Sequence, residues 1–320
     1  MTPAQPSRWQ DDPALAGRGL LQRGLLAGWD GCAPTVGDRP AARELAHRPG
    51  GRATLLLQRR GPADAGEHDP GSSEVAEQPG GCILKLYSAA QFPAAVAVAR
   101  AAARHDGLAP RVLGVHYSAR ALHIERATGV PLDQADPARR QQALDLLGGL
   151  IARVHAKPPV QLPPWDALHA VRKLDRWRLR AASVDPASAT RARAVVMRLA
   201  ESFAGIRAGG VGLHGDLSLR NILYDQVRGT VRLVDWDRAA RGPAEVDLAP
   251  LVGLLGEATE RMVNDYRAAG GMVAQDLLAD LVLANRLTRA LRRLARGEDP
   301  VGVGSARVAG LVEGHVPTSR

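Results

Sequence analysis

His214-Gly215-Asp216-Leu217-Ser218-Leu219-Arg220-Asn221, with Val234-Asp235-Trp236-Asp237 after it, is the stretch that decides how this chain is read. Asp216 stands five residues ahead of Asn221, and Asp235 closes the next strand-like run, Val231-Arg232-Leu233-Val234. Phosphoryl transfer from ATP asks for little covalent chemistry from a protein. It needs a carboxylate to orient the attacking hydroxyl and take its proton, and oxygen ligands for the magnesium that neutralises the phosphates. Asp216 suits the first task, and Asn221 with Asp235 the second. Any one of these residues alone would be an ordinary cap or turn residue. The ordered set carries the signal.

These motifs resemble the aminoglycoside phosphotransferase and choline kinase-like family, whose fold is a variant of the protein kinase fold. The resemblance rests on His214-Gly215-Asp216 with Asn221, on Val234-Asp235-Trp236, and on Asp247-Leu248-Ala249 downstream. It is specific over about residues 211–250 and looser from roughly residue 45 to the end. It implies Asp216 as catalytic base, Asn221 and Asp235 as magnesium ligands, ATP as phosphoryl donor, and Asp247 as a brace accepting backbone amides of the catalytic loop. Asp247 also reads as a helix N-cap. His214 is expected to support the loop by packing and hydrogen bonding.

Three further residues extend the site. Arg220 adjoins the metal ligand and suits charge stabilisation on the transferring group; the alternative is a pair with Asp237 or a solvent-facing side chain. Asp237, two residues past Asp235, is a second candidate metal ligand. Lys85 lies in the apolar run Cys82–Tyr87, where a buried ammonium needs an anion such as the ATP phosphates. The other reading of Lys85 is an edge-strand lysine that guards against aggregation. Glu125 lies in the expected hinge, His123–Thr128, which would meet the adenine edge and bind the nucleotide through backbone groups.

Two departures from the family pattern stand out. No glutamate occurs between Lys85 and Glu125, so the usual acidic partner of that lysine is missing from the following helix. Gly50-Gly51 is the sole hint of a phosphate loop, and no Gly-x-Gly-x-x-Gly run is present.

At 320 residues the chain can bury a large core in two lobes. Aromatics make up only 3%, so that core is expected to be Leu, Val and Ala. Two cysteines, Cys32 and Cys82, are too few for a disulfide framework and point to a reducing, cytoplasmic setting. No apolar run reaches the roughly 20 residues of a membrane span, and no signal peptide is expected.

The net charge of +9 is spread along the chain without basic-aromatic interleaving, which ranks nucleic acid last among partners. That charge also disfavours a polycationic aminoglycoside as acceptor. Arg286, Arg289, Arg293 and Arg296 form one basic helical face, either solvated or a dock for an acidic partner or anionic substrate.

The expected organisation is α+β: a partly ordered arm over 1–40, a strand-rich N-lobe over 41–128, and a helical C-lobe over 129–320. Strands are expected at Arg52–Gln58, Cys82–Tyr87, Pro110–Val115 and Ala121–Glu125, and a loop at Gly61–Gly81. Helices are expected at Phe92–His105, Gln141–Ala156, Thr190–Ile206 and Leu277–Arg296. His155 reads as a core or interface histidine. The acceptor is expected to be the hydroxyl of a small molecule. Rival readings are a kinase of peptide Ser or Thr and a catalytically impaired, pseudokinase-like binding protein.

Overall fold

A computed structural model describes the backbone of residues 41–48 and 52–58 and the chain from 82 to 314, except 106, 158–161, 207–209 and 256–257. The expected arm, the Gly61–Gly81 loop and the Gly50-Gly51 pair lie outside the described residues. The chain divides into two compact units, Met1–Thr128 and Gly129–Arg320.

The first unit is one antiparallel sheet of β1 (Ala41–Arg48), β2 (Arg52–Gln58), β3 (Cys82–Leu86), β4 (Val112–His116) and β5 (Ala121–Glu125). Its strand order is β1-β2-β3-β5-β4, which puts β3 in the interior. Helix α1 (Phe92–Ala102) opens with Phe92-Pro93 and buries Phe92, Ala95, Val96, Val98 and Ala102. Phe92, Ala95 and Val96 pack with Tyr87 and Leu122 in one apolar cluster. The helix expected to reach His105 ends at Ala102, where the backbone tightens: Arg104 N–H bonds the Ala101 carbonyl and His105 N–H that of Ala102.

The second unit is mainly helical. Its helices are α2 (Pro137–Ala156), α3 (Ala167–Ala181), α4 (Pro186–Ala204), α5 (Glu245–Leu255), α6 (Ala258–Ala268), α7 (Gln275–Ala295) and α8 (Val301–Glu313). Three of them start on aspartate caps. Asp136 accepts from Arg139 N–H, Asp166 from His169 N–H and Asp185 from Ser188 N–H. Pro137 and Pro186 fill the first helical positions, where the missing N–H costs nothing. These caps explain why α2 and α4 begin four residues earlier than apolar spacing alone predicts.

Short strands stitch the helices together: β6 (Val130–Pro131), β8 (Ile222–Asp225) and β9 (Thr230–Leu233) form one sheet, β7 (Val211–Leu213) and β10 (Ala240–Gly242) another. The interior is leucine-rich, as the scarcity of aromatics requires, with Leu147, Ile151, Leu174, Leu199, Leu213 and Leu217 fully buried beside Phe203 and Tyr266. Among the described residues no helix is long and apolar enough to cross a membrane.

Helix α2 meets α6 through a glycine. A Cβ on Gly148 would lie 2.7 Å from Asp265 Cβ and 2.9 Å from Tyr266 N, whereas one on the adjacent Gly149 meets nothing within 4 Å. Gly148→Ala should therefore lower stability by about 1–3 kcal/mol through overpacking. Gly149→Ala should leave it unchanged or raise it by up to about 1 kcal/mol through helix propensity. Urea unfolding of the two variants checks the pair.

Candidate active site

The loop from His214 to Asn221 is placed by pairings at both of its ends. Strand β7 delivers it, held to β10 in the register Leu213↔Ala240 and Val211↔Gly242. A short 3₁₀ turn, Leu219–Asn221, hands it to β8. The β8–β9 hairpin then returns the chain so that Val234 N–H donates to the Asn221 carbonyl at 2.9 Å. Two segments 13 residues apart in sequence are thereby locked side by side. Gly215 makes the turn possible. Its φ is +79°, and a Cβ there would collide with the Arg238 carbonyl.

Beneath the loop sits Asp247, fully buried in the first turn of α5. Its Oδ2 accepts from His214 N–H at 2.7 Å and its Oδ1 from Gly215 N–H at 2.8 Å. His155 of α2 approaches the same carboxylate with Nε2 at 3.2 Å, and its Nδ1 lies 2.9 Å from the Tyr266 hydroxyl of α6. Burial by itself would raise the Asp247 pKa. The His155 hydrogen bond, the nearby imidazoles and the Gly215 amide outweigh it and hold the carboxyl below its ordinary range. Burial, with Glu245 and Asp247 nearby, pushes the Tyr266 phenol up to about 12, so it stays protonated. His155 bridges the Tyr266 hydroxyl and the Asp247 carboxylate, with Nε2 as the donor to Asp247. Asp247 thus braces the loop from inside the helix, one turn deeper than an N-cap.

His214 is also fully buried. Its Nδ1 accepts from Asp216 N–H at 3.3 Å, so Nε2 carries the proton and donates to the Val234 carbonyl at 2.9 Å. Desolvation lowers its pKa despite the surrounding carboxylates, which keeps the ring neutral and rules it out as a charged ligand. Trp236 packs against it, ring centroids 4.7 Å apart.

Asp216 is half-buried at the turn. Arg220 Nη2 and Arg238 Nε each stand 3.9 Å from its Oδ2, so Arg220 faces Asp216 rather than Asp237. Asn221 Nδ2 donates to the Asp216 carbonyl at 2.9 Å. That bond orients the amide and reserves its oxygen as an acceptor. Asp235 takes φ +63°, a left-handed conformation that aspartate tolerates better than most residues but that marks strain next to a site. Among the described residues no group of three or more His, Cys, Asp or Glu side chains is arranged to hold a metal. Magnesium bound through one carboxylate and one amide, completed by phosphate oxygens and water, requires none.

Lys85 and Glu125 belong to the first unit. Lys85 is 7% exposed on interior strand β3, opposite Thr54 on β2 and Leu122 on β5. The edge-strand reading is therefore wrong, because an edge lysine needs an open side. Glu125 donates its N–H to the Arg111 carbonyl, and its carboxylate accepts from the Arg111 N–H at 3.0 Å. The expected basic helix face also changes. Arg293 is tied to the buried Asp299 at 2.6 Å and does not stand ready for a partner, while Arg296 lies 3.5 Å from the exposed Glu298. Three participants were not foreseen in their roles: His155, Tyr266 and Arg238. His155 lies 92 residues from Asp247, and no local pattern connects them.

A family model for the phosphotransferase enzyme family matches residues 66–293, and the chain belongs to that family. It is thus a phosphotransferase acting on hydroxyl groups, built on a protein kinase-like fold. Solved structures agree on the fold. A thermostable mutant of aminoglycoside phosphotransferase APH(4)-Ia superposes with a TM-score of 0.57 at 17% identity, over 87% of this chain and 96% of that one. Choline kinase LicA from Streptococcus pneumoniae gives 0.55 at 15% identity, over 86% and 93%. Macrolide 2'-phosphotransferase type I gives 0.54 at 16%, over 86% and 93%. No curated protein matches.

The buried network sets a pH dependence. The folded His214 pKa lies below its ordinary 6.5, so the unfolded chain takes up that proton first as pH falls. Its contribution is complete above the unfolded value and declines as pH drops through and below it. Asp247, also lowered, contributes above its ordinary 3.8 and loses its share only as pH falls through the folded value. The thermal midpoint should therefore fall between pH 7 and pH 5, and His214→Gln should flatten that part of the curve. Calorimetric scans of both proteins across this range test it.

Proposed function

We propose that this protein transfers the γ-phosphoryl group of magnesium-ATP to a hydroxyl of a small molecule. The observation that carries the reading is the pairing of Asp216 and Asn221 on one rigid loop, with Asp235 next to it through the Val234–Asn221 bond. Asp216 orients the acceptor hydroxyl and takes its proton as the new oxygen–phosphorus bond forms. The bond from the γ-phosphorus to the bridging oxygen breaks, and its electron pair leaves with ADP.

Asn221 and Asp235 hold the magnesium, with Asp237 as an additional ligand; when bound, the ion supplies charge neutralisation for the phosphates. The donor set fits a hard cation, because both contacting atoms are oxygens. Ser218 adds support. Its hydroxyl is buried in the loop two residues beyond Asp216 without a partner, which suits a donor to phosphate or acceptor oxygen. Arg220 stabilises charge on the group in transit, and Lys85 holds the phosphates. Glu125 and the hinge after it take the adenine side through backbone groups. His214 and Asp247 keep the loop in place.

A binding role without turnover is the second reading, favoured by the lack of any acid on α1 to pair with Lys85.

Asp216→Asn should reduce turnover by about 10²–10⁴-fold, as general-base removal does, with nucleotide affinity nearly intact. Asp235→Asn should abolish the magnesium-dependent part of ATP binding. Titration calorimetry with and without magnesium, beside steady-state ADP release, separates the two effects. Undiminished turnover by Asp216→Asn would remove it from the base role, and tight binding without any turnover would favour the binding protein.

A further inference from the structure

Around Asp216 the charges do not balance. Arg220 and Arg238 approach its Oδ2 at 3.9 Å, long contacts from two exposed guanidinium groups to a half-buried carboxylate. Pairs of that kind are worth about 0–1 kcal/mol each, so neither guanidinium is committed to the carboxylate. Two further cations arrive from helices α3 and α7.

Their placement follows from the packing. Trp165 N–H bonds the Arg241 carbonyl at 2.8 Å, which pins the start of α3 beside β10 and hence beside β7 and the catalytic loop. Helices α3 and α4 contact each other across a four-residue connection, so they run antiparallel. Near the end of α4, Arg198 and Ser202 grip Asp280 near the start of α7 at 2.8 and 2.6 Å, so α4 and α7 are antiparallel as well. Helix α3 must then run parallel to α7. Trp177 of α3 meets the guanidinium of Arg296, the residue that caps α7, at 5.4 Å. One turn back on each helix lie Lys173 and Arg292.

Lys173 and Arg292 act on one another, and Arg238 and Asp216 act on Lys173. Desolvation first, then the Arg238 guanidinium, holds the Lys173 ammonium below the usual lysine range, with Asp216 pulling the other way. Arg289, one turn further back, is likewise lowered by desolvation and then by Arg292, Arg286 and Arg293.

The contrast along these same two helices is informative. Arg172, Arg178, Arg293 and Arg296 each have a carboxylate partner. Lys173, Arg286, Arg289 and Arg292 have no ion pair among the described residues. Arg176 and Arg180 of α3 lack an ion pair as well, but Lys173 is the cation of this helix that feels Asp216, Arg238 and Arg292 together. Like charges held together in this way cost free energy, and an anion would relieve it.

We propose that the acceptor is itself an acid: a hydroxylated small molecule whose carboxylate or phosphate seats among Lys173, Arg238 and Arg292 and holds its hydroxyl at Asp216. The inference rests on the phosphotransferase reading and narrows its substrate class. Guanidinium forks suit both kinds of oxyanion, and the strip would steer an acid to the site while repelling polycations.

ADP release decides it, measured with four separate pools: hydroxycarboxylates, sugar phosphates, neutral polyols and the polycation kanamycin. One or both acidic pools should be turned over, and the pool that responds identifies the anionic group. For the active compound, the Lys173→Ala/Arg292→Ala double variant should raise KM about tenfold or more and lose most of the salt sensitivity of KM, as removal of steering charges does. The KM for ATP should not move, and Lys173→Arg should retain most of the affinity.

Equal or better turnover of polyols or kanamycin would overturn the proposal, as would an acceptor KM unchanged in the double variant. Phosphorylation of an acidic peptide while both small-acid pools stay silent would also overturn it. So would magnesium-dependent ATP binding with no acceleration by either acidic pool. Failure to bind ATP at all would instead sink the phosphotransferase reading beneath it.

Discussion

A single buried carboxylate organises the second unit. Asp247 is excluded from solvent, and an ionised carboxylate in such a place is tolerable only if its lone pairs are satisfied. Two consecutive backbone amides, His214 and Gly215, and the His155 imidazole meet that demand. The consequence runs both ways. The loop amides, which no strand partner takes, find an acceptor, and the helix that carries Asp247 is tied to β7. Through His155 and Tyr266 the same anchor reaches α2 and α6. Removing either side would leave a charge or a donor stranded in the core, a loss of about 3–5 kcal/mol for a broken buried pair. The loop is thus held firmly because its support is buried, while Asp216, the proposed base, stays partly accessible at the turn.

Rigidity at the base of the loop allows strain at its rim. Asp235 holds a left-handed conformation, and Gly215 turns where no Cβ fits. The neutral His214 ring sits between them, bonded to Asp216 N–H on one side and the Val234 carbonyl on the other. Asn221 closes the circuit back to the Asp216 carbonyl. Each element of the set is positioned by a neighbour in the set, which suits a reaction in which the protein's contribution is mainly placement and electrostatics. The family shares this scaffold across acceptors as different as those named for its structural neighbours. In the reading proposed above, substrate choice lies in the surface beyond the loop, where Lys173, Arg238 and Arg292 act together.

Much of this was legible in the sequence because the information is local. The motif residues lie within short stretches whose spacing encodes a turn, and β2 and β5 matched their apolar runs residue for residue. Boundaries set by capping were less legible. Asp136 and Asp185 start their helices through a single side-chain bond, a signal that apolar periodicity does not register. Lys85 shows the limit in another way. Its run of apolar neighbours suggested burial, but only the strand order showed that β3 has partners on both sides.

By itself the sequence determined the α+β class and the family, and it singled out Asp216, Asn221 and Asp235 as the residues proposed to do the chemistry, since these depend on residue type and spacing along a few turns of chain. Only the tertiary structure decided what surrounds them. His155 and Tyr266 reach Asp247 from helices far away in sequence, Arg293 leaves the predicted basic face for the buried Asp299, and Lys173 and Arg292 come together because α3 and α7 run parallel. Such neighbours are a property of packing between distant segments, and no one-dimensional spacing records which of the 39 arginines will be left without a carboxylate.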